Sequence, residues 1–88
     1  MKAVMLYEVT LEGMAKAPAN YPAHRALVDE FHARGVLLMV GTFANPAEGA
    51  MAIFANRKAA EEFIGKDPFV LHGVVHKWTL REWNEVLA

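Results

Sequence analysis

Two side chains in this sequence have types suited to moving a proton: His24, in the segment YPAHRALVDEF, and Asp67, in KDPF. An imidazole with an unperturbed pKa of about 6.5 can take and return a proton near neutrality, and a neighbouring carboxylate fixes its tautomer and stabilises the charged ring. Such chemistry calls for no metal and no cofactor. On a helical wheel His24 lies in line with Leu27, Val28 and Phe31, so its ring sits in an apolar stripe where it needs a polar partner. Helix dipoles near the amino end disfavour the imidazolium, whereas a nearby acid favours it. Asp67 follows the second expected helix on the same face of the sheet, which allows the two to meet. Each residue also has a plain structural reading, His24 as a core histidine bonded to a carbonyl and Asp67 as a cap ahead of Pro68.

The other candidates are weaker. His72 and His76 have the spacing of a helical metal pair, but their segment reads as strand, where they would stand about 13 Å apart, so no metal site is expected. His32 falls beside the apolar stripe near the helix end, where a structural role is the natural one. There is no cysteine, which excludes disulfides and thiolate chemistry, and no phosphate-binding glycine loop, GxSxG elbow or HExxH motif.

These residues need a scaffold, and 88 residues that are 55% apolar suffice for one domain with one core. A net charge of −1 with dispersed basic residues gives no footprint for nucleic acid or an anionic membrane. The longest uncharged stretch, Gly35 to Ala47, is 13 residues, too short to span a bilayer, and the amino terminus lacks a secretory core, so a cytoplasmic location is expected. Lys2–Val9 reads as a strand, Thr10–Ala19 as a long loop, and Pro22 to Gly35 bracket a helix. Val36–Phe43 and Ala50–Ala55 read as strands around a turn at Asn45, Pro46 and Gly49. Asn56 caps a second helix that Gly65 closes; Asp67, Pro68 and Phe69 form a compact turn; Val74–Trp83 is the last strand.

The order βαββαβ is that of the ferredoxin-like α+β sandwich, a four-stranded antiparallel sheet with two helices on one face. Val36–Val40 and Ala50–Ala55 are apolar on both sides, so the face without helices also calls for cover. A second copy of the same sheet supplies it, and a homodimer of the dimeric α+β barrel type is expected.

With His24 in YPAHRALVDEFHARGVLLMVGTF, the turn at Gly49, Asp67 in KDPF and the closing Trp83, the chain resembles the YCII-related (YciI-like) family over almost its whole length. The resemblance implies a dimeric α+β barrel in which a histidine on the first helix pairs with the aspartate of a DPF motif as an acid/base dyad; His24 and Asp67 fall on those places. Gly41 and Phe69 also match, while Thr42 stands where the family commonly has proline, and the arginine often found just before the histidine is missing. The implied activities are lyase-like, including dehydrochlorination of a chlorinated hydroxyquinol. The reading is therefore a small enzyme in which His24 and Asp67 are catalytic and a small cyclic or aromatic substrate meets Tyr7, Gly41, Thr42, Phe43 and Phe69. The alternative is a ligand-binding or dimerisation module in which the same pair is structural.

Overall fold

The computed structural model describes residues Met1–Ala88. Strands β1 (Lys2–Val9), β2 (Leu37–Thr42), β3 (Ala50–Phe54) and β4 (Val75–Trp83) form one antiparallel sheet in the order β2-β3-β1-β4. Helices α1 (Leu11–Met14), α2 (Ala17–Ala33), α3 (Arg57–Lys66) and α4 (Pro68–Leu71) complete the chain. The architecture is the ferredoxin-like α+β sandwich expected from the element order, with the two long helices, α2 and α3, as its helical layer.

Alternation along β1 sets the two faces of the sheet. Ala3, Met5 and Tyr7 are buried and pack with Ala52 and Phe54 of β3. Phe31 of α2 and Phe63 of α3 close on them edge to face, their centroids 5.3 Å apart. The opposite face presents Val4 and Leu6, whose register partners on β3 are Ile53 and Met51, with Met39 of β2 beside Ile53. Met39 and Met51 are exposed.

Several local readings change. Thr10–Ala19 is not a loop: the Thr10 hydroxyl accepts the Gly13 N–H at 3.0 Å and starts α1, and α2 begins at Ala17 with Pro18 in its first turn. Glycine is required at position 13 because a Cβ there would collide with the Val74 carbonyl. Pro22 consequently lies inside α2 and not at its start. The end of α2 is as expected: Gly35 has φ +77°, and the N–H groups of Gly35 and Val36 bond back to His32 and Phe31, a Schellman closure.

Gly65 does not close the second helix, which runs to Lys66. The stop comes from Pro68, which pushes the residue before it into extended backbone, and Asp67 has φ −70° and ψ 118°. The expected DPF turn is instead the one-turn helix α4, at whose end His72 sits, so His72 and His76 do not share a strand. No group of three or more histidine, aspartate or glutamate side chains is placed to hold a metal ion. No helix is long and apolar enough to cross a membrane.

Candidate active site

The switch from helix to extended chain at Asp67 aims its carboxylate into the layer between α2 and the sheet. Oδ1 accepts the backbone N–H of Phe69 at 3.0 Å, capping α4, and the same oxygen lies 2.7 Å from His24 Nδ1. Oδ2 accepts the Tyr7 hydroxyl at 2.6 Å. Asp67 is fully buried, and three donors on its two oxygens compensate for the lost hydration. Burial pushes the Tyr7 phenol far above its ordinary range, and the charge and hydrogen bond of Asp67 push it further. Tyr7 is therefore a fixed donor.

His24 is held on its edge and its face. The edge is tied by Nδ1 to Asp67, and the face stacks on the Phe69 ring at 3.8 Å between centroids with the planes within 3°. Phe63 meets it edge-on from below, at 6.4 Å and 77°. A carboxylate can only accept, so Nδ1 carries the hydrogen and Nε2 of the neutral ring is a free base. The His24 side chain is 13% exposed, and that exposure opens into a cavity of about 540 Å³ between α2 and the β2–β3 end of the sheet. Its wall is mostly apolar.

Of the residues expected from the sequence, His24, Tyr7, Gly41, Thr42 and Phe69 line this cavity, and Asp67 lies directly behind it. Tyr7 has its hydroxyl committed to Asp67 rather than left for a ligand. Phe43 does not reach the cavity: it follows the last residue of β2, and its N–H bonds the Gly49 carbonyl across the turn.

Five further residues of α2, Tyr21, Arg25, Val28, Asp29 and His32, belong to the wall without being among the expected site residues. Tyr21, Arg25 and Asp29, spaced by four, line the wall; Arg25 Nε donates to Asp29 at 3.0 Å and an Arg25 NH group reaches the Tyr21 hydroxyl at 3.4 Å. His32, assigned only a structural place, does donate from Nδ1 to the Leu37 carbonyl at 3.1 Å, but its ring also lines the cavity. The i, i+4, i+8 spacing from Tyr21 and from His24 was the available signal.

The chain belongs to the YCII-related domain family, whose sequence profile matches residues 1–84. No curated protein matches it. Among solved structures it is similar to the 5-chloro-2-hydroxyhydroquinone dehydrochlorinase of Burkholderia phenoliruptrix in complex with 2,5-dihydroxybenzoquinone, at 17% identity and a TM-score of 0.74 over 96% of this chain and 94% of the other. It is also similar to an antibiotic biosynthesis monooxygenase, at 14% identity and a TM-score of 0.62 over 98% of each chain. At such identities the likeness is one of fold, that of the dimeric α+β barrels.

Proposed function

We propose that this chain is a small acid/base enzyme, a lyase or isomerase, in which His24 moves a proton on a small cyclic or aromatic substrate and Asp67 orients and stabilises the ring. The observation that carries the reading is the 2.7 Å contact between His24 Nδ1 and Asp67 Oδ1, which leaves Nε2 as the free nitrogen beside the cavity. In an elimination, Nε2 takes the substrate proton, the released electron pair forms the new π bond, and the leaving group departs with its own pair. Asp67 balances the imidazolium until the proton is returned to the leaving group or to water. A positioned base of this kind contributes on the order of 10² to 10⁴ in rate, suited to a substrate whose proton is already acidic. Support comes from the dehydrochlorinase of the same fold, which holds an oxygenated six-membered ring. The step needs neither metal nor cofactor.

The functional assembly in this reading is a homodimer. The part of the sheet face formed by Leu6, Ile53, Met39 and Met51 is apolar and has no helix of its own, with Thr79 and Arg81 of β4 as its polar edge, and a second copy of that face would cover it.

The full burial of Asp67 and its cap on Phe69 favour a second reading, in which the pair is a structural tie in a ligand-binding module. The test is chloride release from chlorinated hydroquinones, including 5-chloro-2-hydroxyhydroquinone, by the wild-type chain and by His24→Ala. Turnover that drops by about 10² or more with the fold intact supports catalysis. Unchanged turnover, or no turnover of any such ring by the wild type, removes the elimination.

A further inference from the structure

A second imidazole faces the same cavity without a part in the proton transfer. His32 lies eight residues beyond His24 on α2, about 12 Å along the helix axis, and the buried Val28 falls midway between them on the same helical row. The cavity wall thus runs from imidazole to apolar surface to imidazole. The two rings are pinned alike and differently. Each commits Nδ1 to a protein acceptor, the Asp67 carboxylate for His24 and the Leu37 carbonyl for His32, and neither Nε2 has a protein partner.

The acceptors decide the roles. A carboxylate offsets a charged ring, whereas a neutral carbonyl holds the hydrogen on Nδ1 and supplies no countercharge. Asp29, the carboxylate nearest in sequence on the same wall, is already paired with Arg25 at 3.0 Å, and His32 forms no ion pair. With Nδ1 held by the Leu37 carbonyl, the His32 ring leaves Nε2 as its hydrogen-bonding atom for the cavity, and the neutral ring accepts there.

We propose that His32 is a substrate-binding residue that accepts a hydrogen bond from a substrate hydroxyl, and that the substrate class is a small ring with oxygen functions on opposite sides. One oxygen addresses His24, the other His32, and the ring lies over the apolar surface at Val28. This rests on the reading of the cavity as the substrate site and narrows what that site selects.

The full-length ¹⁵N-labelled chain, titrated with phenol and with hydroquinone and followed through its imidazole nitrogens, provides the test. Hydroquinone is expected to bind about five- to tenfold more tightly than phenol, the worth of one added hydrogen bond, and to shift Nε2 of both His24 and His32. In His32→Asn the side-chain amide can keep the bond to Leu37 but offers nothing at the Nε2 position. That variant should bind hydroquinone no better than phenol, with phenol affinity and melting temperature unchanged. Equal affinities for the two rings in the wild type overturn the proposal, as does undiminished hydroquinone binding in His32→Asn. A response at His24 without one at His32 refutes the role of His32 and leaves the site reading standing. Binding of neither ring overturns both. The wild-type shifts decide the matter even if the variant fails to fold.

Discussion

Phe69 and His24 stack with their planes within 3° and their centroids 3.8 Å apart, and the backbone N–H of Phe69 shares Asp67 Oδ1 with the imidazole. The DPF segment therefore supplies both the acid that grips the edge of the ring and the aromatic surface that supports its face. Pro68 makes this possible by holding Asp67 extended, so that its side chain turns back over the start of α4.

Phe69→Leu keeps an apolar side chain but removes the flat support. The ring of His24 then gains rotational freedom while its bond to Asp67 survives. Turnover is expected to fall roughly tenfold with little change in KM, because the loss is one of orientation. Steady-state kinetics on the substrate that the wild type turns over check this, and an unchanged kcat would deny the stacking any catalytic part.

Removing the acid and removing the base should affect the fold differently. Asp67→Ala leaves the Tyr7 hydroxyl without its buried acceptor and uncaps α4, for a loss of roughly 2–4 kcal/mol in urea unfolding. His24→Ala leaves Asp67 with two of its three donors and should cost less, about 1–3 kcal/mol, so that turnover and not stability separates a catalytic pair from a structural one.

Acid should weaken the surface tie between α2 and α3. Glu62 receives both guanidinium NH groups of Arg34, at 3.0 and 3.2 Å, and the Lys66 ammonium at 3.1 Å. The Arg34 bonds first, then Lys66, lower its pKa from 4.5 to about 2. A depressed carboxylate contributes stability that is complete above 4.5 and is lost as the pH falls toward 2. Glu62→Gln is expected to reduce the fall of the melting temperature across that interval. An unaltered slope would assign the acid sensitivity elsewhere.

Charge on the uncovered sheet face tests the assembly. Leu6 and Met51 face each other across β1 and β3, so Met51→Lys sets an ammonium in the middle of the proposed interface. Light scattering at micromolar concentration should give a two-chain mass for the wild type and a one-chain mass for the variant. A one-chain mass for the wild type would end the dimer proposal.

The order of strands and helices could be read in the sequence because apolar periodicity and the turn residues at Asn45, Pro46, Gly49 and Asn56 act locally. The limits of α2 and α3 could not be read as well. Pro22 looked like a start because proline is at home in a first turn, yet Thr10 and Pro18 open the helical segment earlier. Gly65 looked like a stop, yet the steric demand of Pro68 acts beyond it.

The site divides along the same line. Residue type named His24 and Asp67 as groups fit for proton transfer, and helical spacing turned His24 inward. Only packing in three dimensions brought the hydroxyl of Tyr7 to the second oxygen of Asp67, excluded Phe43 and brought His32 into the cavity wall. Those outcomes depend on strand register and on how α2 lies across the sheet, which are properties of many residues at once, whereas proton affinity and turn geometry belong to each residue and its immediate neighbours.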